Sequence, residues 1–165
     1  MIKVKIDDRG LQTLLKQLEN KTNTKPLFRQ LGGVMLDAVE ENFASEGRPR
    51  WKRSKRAERE NGQTLQDTGR LAKSITMKYD ENKVIVGTNV KYGKYHQFGA
   101  DIPSVIIKPR NSQALAIPLG KGVIFRKKAT LPKRTLPARP FLTLTDEDID
   151  KLKDKCREFL EVKSR

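Results

Sequence analysis

Residues 84–99 read V-I-V-G-T-N-V-K-Y-G-K-Y-H-Q-F-G, a stretch that leaves the backbone few choices. Val84, Ile85 and Val86 are β-branched and consecutive, the pattern of a short buried strand. Gly87 ends that strand, and Thr88-Asn89 forms a turn with helix-capping chemistry. Tyr92, Tyr95 and Gly99 then fall at helical spacing, with Phe98 beside them. A strand therefore runs into a short aromatic helix that stops at Gly99. So short a helix is unstable alone, and the flanking segments must supply the surface on which it docks.

The bulk numbers bound what those flanks can be. At 165 residues the chain is read as one domain, 1–165, long enough to bury about 70% of its unfolded surface. Apolar residues make up 36% and charged residues 33%, and several segments carry clean apolar periodicity, which argues against disorder. The formal charge of +15 and an isoelectric point near 10.1 point to a polyanion contact: nucleic acid, an anionic membrane face or an acidic protein surface. The bland counterpart is a soluble surface with a cationic bias. One cysteine, Cys156, leaves no internal disulfide and no cysteine-based zinc site. It shares a helical stripe with Ile149, Leu152 and Phe159 and reads as a core residue. The opening M-I-K-V-K-I-D-D has no apolar signal core, and no run approaches the roughly 20 apolar residues of a membrane span. The expectation is no membrane partner and folding in a cytoplasm.

From the start of the chain, Ile2, Val4 and Ile6 alternate with polar neighbours as a half-buried strand. Asp7 or Asp8 caps a helix carrying Leu11, Leu14, Leu15 and Leu18. After a polar break Pro26 opens a second helix, whose apolar rhythm runs from Leu27 to Phe43 and ends near Ser45–Gly47. Gly32 and Gly33 inside it signal close packing or a kink. Residues 48–64 read as a mobile basic loop. Arg48, Arg50, Lys52, Arg53, Lys55 and Arg56 are its polyanion-contact candidates. Trp51 among them either stacks on a base or a partner, or tucks onto the core and anchors the loop.

Asp67 or Thr68 caps a short helix containing Leu71. Ile75, Met77 and Tyr79 alternate as a strand that turns at Asp80-Glu81-Asn82 into the Val84–Val86 strand. Residues 101–136 hold three short β patterns broken up by prolines, with further polyanion-contact candidates at Arg126, Lys127 and Lys128. They read as a β-arm, suited to reaching another subunit or to folding back on its own domain. Pro137–Leu142 is extended, because residues before proline avoid helix. Thr145 caps the last helix with Asp148 as its capping-box partner, and Ile149, Leu152, Cys156, Phe159 and Leu160 form its buried stripe. Together these elements make an α+β fold: a small, mostly antiparallel sheet packed with the N-terminal helices and a C-terminal helix, plus an extended β-arm.

No catalytic constellation emerges. His96 is the one histidine, so a His-rich metal site is excluded. G-T-N-V-K-Y-G and the G-K-G at Gly120 lack the context of a phosphate loop. Helix capping accounts for the clustered acids Asp146–Asp150. The expectation is no enzyme, no cofactor and no metal. His96 reads as packed in or beside the aromatic helix with a hydrogen-bonded ring. Arg139, held between prolines beside Phe141 and Leu142, reads as the fixed, partly buried partner of a carboxylate or of helix-end carbonyls. A subunit contact is its second role.

Four blocks in order carry a family likeness. They are F-A-S-E-G-R-P-R-W at 43–51, L-Q-D-T-G-R-L-A-K-S-I at 65–75, V-G-T-N-V-K-Y-G-K-Y-H-Q-F-G at 86–99 and P-A-R-P-F-L at 137–142. Together they resemble the phage virion morphogenesis family, the tail completion proteins of Mu-like contractile-tailed phages and prophages. The chain departs from the pattern at Gly93, where the family often has alanine, and at Thr143, where it often has glycine. The resemblance implies a structural protein that completes the tail and readies it for head joining. Such a protein works as a ring or ring-bound homo-oligomer with other phage tail or neck proteins, in the host bacterial cytoplasm during assembly and then in the virion. The β-arm and aromatic helix would form the interface, with Tyr92, Tyr95, His96, Phe98, Arg139 and Phe141 as structural or contact residues. The alternative is a non-enzymatic nucleic-acid-binding protein whose basic loops make a non-specific DNA contact. No reading motif supports sequence-specific recognition.

Overall fold

The computed structural model describes residues 8–18, 23–119 and 122–162. The strand expected at Ile2–Ile6 lies outside the described residues. Helix α1 (Arg9–Leu18) opens on Asp8, whose carboxylate accepts the Leu11 amide at 2.7 Å. Helix α2 (Lys25–Ala44) carries Pro26 in its first turn, where the missing N–H leaves no bond unmade. The last helix, α6 (Asp146–Val162), begins with a reciprocal box. Thr145 Oγ1 accepts the Asp148 amide at 3.3 Å, and the Asp148 carboxylate accepts the Thr145 amide at 3.0 Å. The apolar stripes of these three helices meet in one core, with Leu11, Leu18, Leu27, Phe28, Leu31, Leu152 and Cys156 buried. Burial pushes the Cys156 thiol up to about 11, so it stays protonated and inert.

Strands β1 (Ile75–Tyr79) and β2 (Val84–Thr88) form an antiparallel hairpin in which Met77 pairs with Val86. Asp80 closes its turn by accepting the amides of Asn82 and Lys83 at 2.8 and 3.0 Å. β2 runs past the expected stop at Gly87. Gly87 still has a donor and an acceptor to pair, and it sits opposite Thr76. Thr88 then starts the turn, its hydroxyl accepting the Val90 amide at 3.0 Å. The hairpin packs on α2 at Gly32. A Cβ at that glycine would lie 1.9 Å from Met77 Sδ and 2.8 Å from Val84 Cγ2, so close packing explains this glycine. Gly33 faces open space.

A second core gathers Val39, Phe43, Trp51, Leu71, Val86, Phe141 and Leu142. The Phe43 ring lies 5.8 Å from that of Trp51, edge to face, and 5.5 Å from that of Phe141. Trp51 thus anchors residues 48–64, which form a tethered segment and not the open loop expected from their charge. Helix α3 (Lys55–Glu60) buries Ala57, its first turn is capped by Ser54 at 3.1 Å, and Thr64 is buried behind it. Helix α4 (Arg70–Lys73) buries Leu71, and of the two expected caps the Thr68 hydroxyl accepts its first amide, that of Arg70, at 3.4 Å. Gly69 holds the N-cap position with φ +71°, a conformation the longer residues avoid.

Helix α5 (Gly93–Phe98) is the aromatic helix, and it stops at Gly99 with φ +73°. It docks through Gly93 and Gln97, not through its rings. Beyond it the chain runs out and back as one interrupted ribbon of nested antiparallel pairs. β3 (Ala100–Ile102) pairs with β8 (Arg134–Leu136), β4 (Val105–Ile107) with β7 (Ala129–Leu131), and β5 (Leu115–Leu119) with β6 (Gly122–Arg126). The fold is α+β: helices around a small antiparallel hairpin, with a second, long ribbon extending from it.

Candidate functional site

Residues 137–142 are extended and belong to no sheet, so their backbone groups must find partners elsewhere. The partners come from the other sequence blocks. Gln97 Oε1 accepts the amides of both Phe141 and Leu142 at 3.0 Å. Asn42 Nδ2 donates to the carbonyls of Phe141 and Thr143 at 3.0 and 2.7 Å, and Trp51 Nε1 donates to that of Pro140 at 3.2 Å. The Arg139 amide donates to the His96 carbonyl at 2.6 Å. Asn42 in turn accepts from Arg48 Nε at 2.9 Å. Two of the other blocks, 43–51 and 86–99, with Asn42 just before the first of them, thus form one polar network around a segment that cannot pair with itself.

Arg48 belongs wholly to this network. It donates to the Ala38 carbonyl and to Asp148, both at 2.9 Å, and pairs with Glu41 at 2.9 Å. Asp148 is buried, which by itself would raise its carboxyl, but the hydrogen bonds from Thr145 and Arg48 outweigh that and hold it below the usual carboxylate range. Arg48 and Trp51 are therefore not the polyanion contacts their neighbourhood suggested: one guanidinium is internally saturated and the indole is buried. Neither Asn42 nor Gln97 stood out in the sequence, although a polar residue inside an apolar helical rhythm was the available signal for Asn42.

A cleft of about 840 Å³ lies where the ribbon leaves the core. Lys52, Arg53, Lys55, Arg56, Arg70, Arg134 and Arg139 line it, with Tyr92 and His96. Leu65, Ile102, Leu136 and Pro137 give it apolar walls. Arg53 and Arg56 are partly used internally, on the carbonyls of Gly62 and Gln63 at 3.1 and 2.7 Å. Arg139 is only 4% exposed, and its Nε donates to the Lys52 carbonyl at 2.8 Å. That carbonyl lies in the loop before α3, so the expected partnership with a carboxylate or a helix end is not what holds Arg139. Burial lowers His96 below its ordinary pKa, and the Arg139 charge lowers it further. Its ring stands edge-on to Tyr92 at 5.9 Å, but Nδ1 is buried with no hydrogen-bond partner among the described residues, against the expectation of a bonded ring.

The other predicted contact residues point outward. Tyr92, Tyr95 and Phe98 are exposed on α5, and Arg126, Lys127 and Lys128 are exposed on the ribbon, outside the cleft lining. Arg50 is exposed, with one long 3.9 Å pairing to Glu46. Along the ribbon Val105, Ile106, Ile107, Val123, Ile124 and Phe125 are all exposed. Consecutive strand residues point to opposite faces, so neither face of the ribbon is covered. Among the described residues no His, Cys, Asp and Glu cluster could hold a metal ion, and no helix is long and apolar enough to cross a membrane.

The profile of the phage virion morphogenesis family matches residues 6–161. The chain belongs to that family. It is 34% identical to the Mu-like prophage FluMu G protein 2 of Haemophilus influenzae over 164 residues, covering 98% of each chain. It is 28% identical to the Mu-like prophage FluMu G protein 1 of the same organism over 110 residues, 59% of this chain and 75% of that one. No solved structure matches. Membership of the phage virion morphogenesis family, together with the Mu-like prophage relatives, supports a structural phage role. The matched span takes in both cores, the cleft and the ribbon.

Proposed function

We propose that this protein completes the phage tail and prepares it for head joining, working as a subunit of a homo-oligomeric ring that contacts other tail or neck proteins. The observation that carries this reading is the ribbon. A two-stranded ribbon with apolar side chains exposed on both faces is marginal in water and calls for a covering partner. Adding one such ribbon to the next subunit is a head-to-tail contact, and rotation closes it into a ring. The exposed rings of Tyr92, Tyr95 and Phe98 come just before the ribbon in the chain. Family membership and the prophage relatives support a place in the virion, with assembly in the host cytoplasm before it. The alternative of a nucleic-acid-binding protein has lost its stacking group, since Trp51 is buried.

The test is Ile106→Lys combined with Phe125→Lys. Both side chains are exposed, at 59% and 71%, so the substitutions leave the cores intact. The expected result is a discrete oligomer for the wild-type chain by light scattering, a monomer for the variant, and loss of infectious particles when the variant replaces the phage gene. Normal particle yield from the double variant would overturn the proposal.

A further inference from the structure

Among the described residues two arginines are largely buried, Arg48 and Arg139, and their surroundings differ. Arg48 faces Asp148 and Glu41. Arg139 is more deeply buried, and among the described residues it has no carboxylate within pairing distance. A buried guanidinium without a counter-charge is costly to keep, and one hydrogen bond to a carbonyl does not neutralise it. Its free face lines the cleft, beside the buried and unbonded Nδ1 of His96. Lys52, Lys55, Arg70 and Arg134 surround the same cleft, and none of them has an ion-pair partner among the described residues. The one acid there, Asp67, is exposed and already shared with Arg56 at 3.7 Å. The cleft thus gathers more cations than the described acids beside it can pair.

We propose that the cleft binds an extended peptide segment of an assembly partner, one that alternates carboxylate and apolar side chains, with a carboxylate seated on Arg139. The apolar walls decide between an acidic peptide and DNA. An extended chain sends alternate side chains to opposite sides, so carboxylates reach Arg139, Arg70 and Arg134 while apolar groups cover Leu65, Ile102 and Leu136. Duplex phosphates lie on a wide, stiff cylinder and are met by cations that project from a surface, not by a guanidinium that is 4% exposed. The planar fork of arginine also matches a carboxylate two bonds at a time. The cleft shares Ile102 and Leu136 with the root of the ribbon but not Ile106 or Phe125, the residues on which the ring test turns, so the two proposals can fail separately.

His96 supplies the readout, because the sequence has one histidine and its ring lines the cleft. The full chain is titrated with a terminally blocked Asp–Leu alternating peptide, with its Asn–Leu counterpart and with a short DNA duplex, while the imidazole NMR signal is followed. The expected result is a saturable shift with the Asp–Leu peptide and binding of the Asn–Leu peptide weaker by about tenfold or more, the factor expected for losing charge-assisted bonds. Arg139→Gln should abolish the shift. Because Arg139 also holds the Lys52 carbonyl, Arg70→Glu with Arg134→Glu serves as the second variant. Both side chains are exposed, so it should lose binding at an unchanged melting temperature. No shift with the Asp–Leu peptide, an equal response to the Asn–Leu peptide, or a His96 shift produced by DNA that displaces the peptide would each overturn the proposal.

Discussion

Arg48 joins α2 to the first turn of α6 through one guanidinium, and it reaches the extended 137–142 segment through Asn42. Its value lies less in attraction than in what its loss would leave behind. Asp148 has a side chain only 2% exposed, and without Arg48 it becomes a buried carboxylate held by Thr145 at the helix start and by one long 3.9 Å pairing with the exposed Lys151. Arg48→Ala should therefore cost about 3 kcal/mol, in the range for breaking one partner out of a buried pair. Asp148→Ala should cost as much, plus about 1 kcal/mol for the lost cap. The double variant should cost clearly less than the sum, because neither group is then left alone. Urea unfolding of the four proteins measures this, and strict additivity would show that the pair is not coupled. Arg50→Ala, two residues along on an 80% exposed side chain, should change stability by less than about 0.5 kcal/mol.

At the scale of elements, α2 contains a controlled comparison. Gly33 meets nothing within 4 Å of a built Cβ, so Gly33→Ala should stabilise the protein by about 1 kcal/mol through helix propensity alone. Gly32→Ala gains the same propensity but drives a methyl into Met77 and Val84 of the hairpin, and it should be net destabilising. Thermal melts of the two variants shifting in opposite directions would confirm it; two upward shifts would mean that the hairpin yields easily. Elements with long periodicity were legible in the sequence, because α1, α2 and α6 write their buried faces as stripes that no other structure explains. The ribbon was legible as a β-arm or hairpin extension but not in its nested pairing, since β3, β7 and β8 are three residues each and three residues carry no period. The cleft was not legible as a site. Its cations come from separate segments, and what joins them is Trp51 pinning the 48–64 segment against Phe43, the anchoring that the sequence offered for Trp51 without showing what it brings together.

At the scale of the whole molecule, the charge of +15 makes stability depend on pH with a definite sign. His96 has a folded-state value below its ordinary value of about 6.5, mainly because it is buried and secondly because Arg139 is near. The unfolded chain therefore takes up that proton first. The stability this residue contributes is complete above pH 6.5 and declines as the pH falls from there to its folded value. Asp148, Asp8, Glu46 and Asp80 are also held below their ordinary values: Asp148 by the bonds that outweigh its burial, the others chiefly by backbone amides. Their contribution is complete above the usual carboxylate value of about 4 and is lost as the pH falls through their folded values. Protonating them also removes the negative charge that offsets the excess of cations. Melting temperature should thus fall in two stages on acidification, the first starting near pH 6.5 and the second near pH 4. His96→Asn should erase the first stage and leave the second. Salt should soften the second, where self-repulsion grows, more than the first. If the wild-type and His96→Asn melting curves ran parallel between pH 7 and pH 5, the imidazole would not be the group that titrates there.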